Sequence, residues 1–200
     1  MKDEVHNAVS EEGEAPPRQP RLAWALTGSG HDFLPCLELI RRLSEVDVFL
    51  SKAADEVIWM YTRERRPFPP GIRVIRDTTA SAAPVGRFYK GWYHTLVVAP
   101  ASSNTVAKCV MGISDTLVTN VFAQAGKCRI PIIVYACDTR PMHITAAPDR
   151  IVEVYPRAID LANTERLRHF ERTVVVESVA ELERALEARL AELARGATGG

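Results

Sequence analysis

Two hundred residues, 46% of them hydrophobic, are enough for one sizeable core and fit one domain better than two. Lys plus Arg and Asp plus Glu balance at 25 each, so no net field favours nucleic acid or an anionic membrane as a partner. No apolar run approaches the ~20 residues that span a bilayer. Residues 1–20 are charged, contain Pro and lack an apolar h-region, so they read as a disordered tail and not as a secretory signal. A single domain over 21–200 in a cytoplasmic protein is expected. Arg21 to Thr27 is the first strand, and it runs into Gly28-Ser29-Gly30. Phe33 to Leu43 has apolar residues at helical spacing, with Pro35 tolerable only in the first turn. Val46 to Leu50 is the second strand, ending at Ser51-Lys52-Ala53, and Ala54 to Tyr61 can form a helix. Ile72 to Ile75 suits a short strand, and Asp77 to Gly91 reads as irregular. Thr95 to Val98 is an apolar run of the kind a buried parallel strand shows. Ala99 to Lys108 then reads A-P-A-S-S-N-T-V-A-K, a loop that resumes as a helix from Thr105. A second helix follows at Leu117 to Ala125. The remaining strands are Ile130 to Ala136 and Thr173 to Val176. Ser178-Val179-Ala180-Glu181 is a capping box opening a Leu-rich helix to Arg195. Strands alternating with helices specify an α/β fold with a parallel sheet covered on both faces.

Four strand ends carry small, polar loops: Thr27-Gly28-Ser29-Gly30, Ser51-Lys52-Ala53, Pro100 to Thr105, and Cys137-Asp138-Thr139. Strand ends of a doubly wound sheet share one edge, so these loops can converge on one ligand. Small side chains let a ligand approach the backbone, and the following helices offer unpaired N–H groups to an anion. A single Ser, Asn or Thr there is an ordinary helix cap; five consecutive small or polar residues after Ala-Pro exceed that need. Neither G-x-G-x-x-G nor G-x-x-x-x-G-K-[ST] is present. A phosphomonoester on a planar ring suits the set better than a triphosphate, which calls for Lys and metal-binding carboxylates. The cysteines, Cys36, Cys109, Cys128 and Cys137, form no C-x-x-C pair and no metal-ligand spacing. They are expected to be reduced and mostly buried, and no metal is expected. Cys137 stands out because it ends a strand beside Asp138.

The T-G-S-G turn, the Ser51-x-Ala53 strand end, and A-P-A-S-S-N-T-V-A-K followed by Gly112-Ile113-Ser114-Asp115-Thr116-Leu117 resemble the flavoprotein superfamily of homo-oligomeric flavin-containing decarboxylases. The resemblance runs from about Leu22 to about Thr139. It implies a Rossmann-like (flavodoxin-like) three-layer sandwich with a mainly parallel sheet, binding FMN non-covalently at a subunit interface. By position, Gly28, Ser29, Gly30, Ser51, Ala53 and the Ser103-Asn104-Thr105 segment would hold phosphate and ribityl. Pro100, Ala101 and Ser102 would lie near the flavin ring, with Cys137 packing nearby. Asp138 would stand at the ring edge as the candidate catalytic group. The decarboxylases place a His ahead of the Trp that introduces the central strand. Here Trp92 is present but the matching position is about Gly86, and His94 lies beyond the Trp. Arg140-Pro141-Met142-His143 stands where the decarboxylases carry P-A-M-N. The Gly86 to Tyr93 segment and A-C-D-T are instead similar to archaeal-type flavoproteins and to acceptor-type dihydromethanopterin reductases.

That resemblance implies ping-pong hydride transfer from an external donor through FMN to a dihydropterin, dihydromethanopterin becoming tetrahydromethanopterin. It also implies a trimer-based homo-oligomer, up to a closed cage, with Leu117 to Ala125 and Phe88 to Tyr93 as contacts. Two other readings stay open: a phosphopantothenoylcysteine decarboxylase-like or prenyl-flavin synthase-like enzyme, and a non-catalytic FMN electron carrier. Among single residues, Phe88, Tyr89, Trp92 and Tyr93 suit a core or interface better than a stack on a ring. Arg87 suits an anion or plain solvent equally. His31 suits a ligand contact or a helix start equally, His143 is not expected to be functional, and Lys108 reads as a solvated or capping side chain.

Overall fold

The computed structural model of the chain describes residues 15–64, 67–78 and 82–198; most of the expected N-terminal tail lies outside them. Six strands form one parallel sheet: β1 (Arg21–Leu26), β2 (Val46–Leu50), β3 (Arg73–Arg76), β4 (Tyr93–Ala101), β5 (Ile132–Ala136) and β8 (Thr173–Val176), in the order β3-β2-β1-β4-β5-β8. The order reverses between β1 and β4, as a doubly wound nucleotide-binding sheet requires. Leu22, Trp24 and Leu26 face one side with α1 (Phe33–Arg41), α2 (Lys52–Thr62) and α7 (Val179–Thr198). Ala23 and Ala25 face the other with α3 (Ala82–Tyr89), α4 (Ser103–Val110), α5 (Leu117–Lys127) and α6 (Ala158–Arg168). The alternation along each strand therefore feeds two cores, one per face. The expected three-layer α/β sandwich is what the chain forms.

At the edge where the strands begin, Asp47 and Arg189 are paired within the chain, although Trp92 Nε1, just ahead of β4, is buried with no hydrogen-bond partner among the described residues. Asp47 is fully buried, accepting from Arg21 Nε at 2.8 Å and from the Tyr93 hydroxyl at 2.9 Å. Arg189 Nε donates to Thr95 Oγ1 at 3.0 Å and Arg189 Nη2 to the His94 carbonyl at 3.2 Å.

Several local expectations need correction. The stretch read as irregular from Asp77 contains α3, which turns Phe88 into the core. β4 continues through Pro100 and Ala101, so the A-P-A segment is strand, and α4 begins at Ser103 instead of Thr105. Between β5 and β8 the sequence reading placed nothing. The chain there forms an antiparallel hairpin, β6 (His143–Ala146) with β7 (Ile151–Val154), and then α6. The Ser178 cap of α7 is half of a capping box. Ser178 Oγ accepts from the Glu181 N–H at 3.2 Å, while the Glu181 carboxylate takes the Glu177 N–H at 2.9 Å. α5 turns Leu117, Val118, Val121, Phe122 and Ala125 into the chain's own core and keeps Asn120, Ala123, Gly126 and Lys127 on its outer face. Phe88, Trp92 and Tyr93 are likewise core residues, leaving Tyr89 exposed.

Candidate functional site

A pocket of about 310 Å³ opens where β1, β4 and β5 end, at the small end of the ~300–1,000 Å³ usual for ligand sites. Its walls are Gly28, Ser29, Gly30 and His31 after β1, Ser102 and Ser103 after β4, and Cys137 and Asp138 after β5. Tyr61 of α2 and His143, Thr145 and Val154 of the hairpin complete it. A larger cavity, about 710 Å³, lies at the opposite edge between Pro17, Glu45, His94 and Leu190. It gathers neither strand ends nor helix starts, so the smaller pocket is the candidate site.

Local hydrogen bonds fix the walls. The buried Thr27 hydroxyl donates to the Pro100 carbonyl at 2.7 Å and accepts from the Ser102 N–H at 2.9 Å, tying the end of β1 to the end of β4. The Cys137 N–H donates to the Ala101 carbonyl at 3.1 Å. Thr164 of α6 donates to the Asp138 carbonyl at 3.0 Å, and the Ser103 hydroxyl donates to the Asp138 carboxylate. Tyr61 donates to the Ala146 carbonyl at 2.9 Å, which pins the hairpin to α2.

The two glycines of the turn are there for space. A Cβ on Gly28 would sit 2.4 Å from the Ala53 Cβ, and one on Gly30 would sit 2.3 Å from the Tyr61 hydroxyl oxygen. α1, α2 and α4 all begin at this edge. Ser51 Oγ caps α2 by accepting from the Ala54 N–H at 3.1 Å, and Ser102 Oγ caps α4 by accepting from the Thr105 N–H at 3.4 Å. α1 has no side-chain cap at all. A helix start with spare N–H groups and a positive dipole end is a ready site for an anion.

Charges in the pocket are shifted by burial. Burial pushes Asp138 above the usual carboxylate range; Asp160 adds to this, while His143, His31 and Arg157 oppose it. Burial lowers His31, aided by His143 and opposed by Asp32 and Asp138. Burial pushes Cys137 up to about 12, against the bond between its Sγ and Ser29 Oγ at 2.9 Å. A thiol held neutral is a wall and not a nucleophile. His31 Nδ1 and His143 Nδ1 are buried with no hydrogen-bond partner among the described residues. Such an atom costs about 1–3 kcal/mol and marks a place for explanation.

Of the residues expected at the site, Gly28, Ser29, Gly30, Ser102, Ser103, Cys137 and Asp138 meet in the pocket. Ser51 and Ala53 stand just behind Gly28. Pro100 and Ala101 are buried in β4, Thr105 is turned into the α4 cap by a 3.1 Å bond between its hydroxyl and that of Ser102, and Asn104 is exposed. Arg87 is buried against the Trp92 ring at 4.7 Å, away from the pocket. His143, Thr145, Val154 and Tyr61 were not expected there. The signal for the hairpin was present: H-I-T-A and I-V-E-V flank Ala147-Pro148-Asp149-Arg150, two short β-prone runs around a turn.

Residues 10–195 match the profile of a protein family described as Flavoprotein. The crystal structure of Burkholderia xenovorans DmrB in complex with FMN, a cubic protein cage for redox transfer, superposes with a TM-score of 0.81 at 51% identity, covering 88% of this chain and 98% of that one. An uncharacterized protein of Methanocaldococcus jannaschii is 32% identical over 83% of this chain and 94% of its own length. A dihydromethanopterin reductase (acceptor) of Methanosarcina mazei is 35% identical over 66% of this chain. The match spans 60% of that reductase.

Proposed function

The chain belongs to the Flavoprotein family, and from that premise we propose that it is an FMN-dependent oxidoreductase reducing a dihydropterin, dihydromethanopterin to tetrahydromethanopterin. The observation that carries this reading is a glycine-lined pocket at three helix starts in a chain 51% identical to an FMN-binding redox protein. The pocket fits the cofactor. Gly28 and Gly30 let the turn pack directly against Ala53 and Tyr61 beside the pocket, and the starts of α1 and α4 offer N–H groups to a phosphate. The buried Nδ1 atoms of His31 and His143 want a polar partner.

Residues 21–200 act as one flavin-binding unit. Ser29 and the Ser103-Asn104-Thr105 segment would hold the phosphate and ribityl groups, Ser102 would lie near the ring, and Gly28 with Ser51 and Ala53 behind it would set the depth of the phosphate end. Pro100 and Ala101 shape the floor from β4, and Asp138 orients the ring edge. Bound FMN supplies hydride chemistry that no protein side chain provides. One pocket serves donor and acceptor in turn, so the kinetics are ping-pong, with an external electron donor. A pocket of this size leaves part of the cofactor uncovered. A neighbouring copy covers it in a trimer-based homo-oligomer, up to a closed cage.

The test is anaerobic. Protein that releases FMN on heating is reduced chemically and mixed with dihydromethanopterin; the flavin should reoxidise as the tetrahydro product forms, with parallel double-reciprocal plots. Flavin that stays reduced rejects the substrate, and a monomer mass by light scattering with flavin still bound rejects the assembly.

A further inference from the structure

His31 precedes α1 and His143 opens β6, yet their ring centroids are 4.5 Å apart on the pocket wall. Each ring faces a carboxylate. His31 Nε2 lies 3.8 Å from Asp32 Oδ2, and His143 Nε2 lies 3.8 Å from Asp138 Oδ1. Asp32, His31, His143 and Asp138 thus form one string. At its outer end the Asp32 side chain is 40% exposed and accepts from the Tyr135 hydroxyl at 2.6 Å. At its inner end Asp138 accepts from Ser103 at the start of α4.

We infer that this group is the proton store of the reaction: His143 Nε2, beside Asp138, gives up the proton that the substrate takes with the hydride, and His31, packed against the His143 ring, sets how readily that proton leaves. The inference rests on the dihydropterin reading above. The step balances. A hydride from the reduced cofactor forms a C–H bond at the carbon of the substrate C=N, the π pair moves to nitrogen, and that nitrogen binds the proton leaving His143 Nε2. His143 ends neutral and takes its next proton from water.

The geometry supports delivery at the inner end. A 3.8 Å separation is too long for a direct hydrogen bond, and a polar atom about 2.9 Å from each group can stand between Nε2 and Oδ1. Two rings this close share one proton more readily than they hold two. Facing the pair are Asp32, Asp138 and Cys137, with Tyr135 and Cys36 behind them, Tyr61 across the pocket, and Asp160 and Arg157 acting on Asp138. Burial and His143 lower His31, while burial raises Asp138. Both effects bias the stored proton toward the Asp138 end.

Two readouts test it. In flavin-loaded, reduced protein mixed with dihydromethanopterin, the rate of reoxidation per bound flavin should fall as pH rises and the store empties. His143→Gln should slow it about 100-fold and flatten that pH profile. In flavin-free protein, imidazole NMR should show His31 titrating at higher pH in His143→Gln, because the push from His143 that helps lower it is gone. A His143→Gln protein with the wild-type rate and profile overturns the inference, as does a His31 titration indifferent to that substitution. Wild-type flavin that stays reduced overturns the dihydropterin reading and the inference with it, whereas wild-type turnover with an unaffected His143→Gln protein overturns the inference alone.

Discussion

At the edge where the sheet begins, Asp47 has both oxygens taken, by Arg21 and by Tyr93, and Arg189 bridges Thr95 to the chain at His94. At the edge where it ends, two imidazole nitrogens are buried without partners and a carboxylate is held above its ordinary range. One sheet separates the two. A closed polar network rigidifies its surroundings, because each low-dielectric hydrogen bond is complete. An incomplete one that lines a pocket, as His31 and His143 do, leaves a place for a ligand atom. The contrast assigns stability to one edge and binding to the other.

The largest effect should come from opening the closed edge. Asp47→Ala leaves Arg21 and Tyr93 without their buried partner and should cost about 3–5 kcal/mol by denaturant titration, with flavin content per folded protein unchanged. A loss of flavin with no loss of stability would reverse the assignment.

The next effect is acid sensitivity at the same edge. Burial, with Arg189, lowers His94 from 6.5 to about 4. A lowered histidine contributes stability that is present above pH 6.5 and is lost as pH falls toward 4. His94→Gln should remove that part of the acid loss, up to about tenfold in the folding equilibrium per pH unit. A variant with the wild-type pH dependence would show that the site is not set by burial.

At the open edge, Gly30→Ala should weaken flavin retention by about tenfold, in line with an overpacking strain of ~1–3 kcal/mol. The clash is with the Tyr61 hydroxyl, so adding Tyr61→Phe should restore much of the flavin content measured after dialysis. No rescue would mean that the glycine serves the backbone and not the space.

Asp138→Asn should show the smallest change in stability, and its sign is informative. A carboxyl raised by burial favours the fold at low pH, and that contribution is lost as pH climbs from 3.8 through the raised value. The Asn variant of the flavin-free protein should therefore gain stability over wild type above that window. A net loss there would make Asp138 a structural group like Asp47.

The layers and the site edge were readable because both follow from repetition. The strand runs Arg21 to Thr27, Val46 to Leu50 and Ile130 to Ala136 are nearly continuous apolar stretches of strand length, and each ends in small polar residues that suit a loop at the carboxyl edge. What escaped was set by tertiary contact. α3 contains a Pro and a Gly in its eight residues, which weakens its propensity, and the helix persists through burial of Phe88. His143 read as non-functional because its partner, His31, is 112 positions away in sequence. Asn104 lies one residue into α4 with its side chain exposed beside the pocket edge formed by Ser102 and Ser103.

The hairpin carries a further consequence for how the protein behaves at high concentration. His143, Thr145 and Val154 face the pocket, whereas Ile144 and Ile151 on the opposite side are 60% and 75% exposed. With a formal net charge of zero at pH 7, copies that meet through this ribbon have no long-range repulsion to keep them apart. The stickiness is short-range and apolar, so added salt should do little to relieve it. Moving the solvent away from neutrality unbalances the equal numbers of acids and bases, and colloidal stability should rise before any fold is lost.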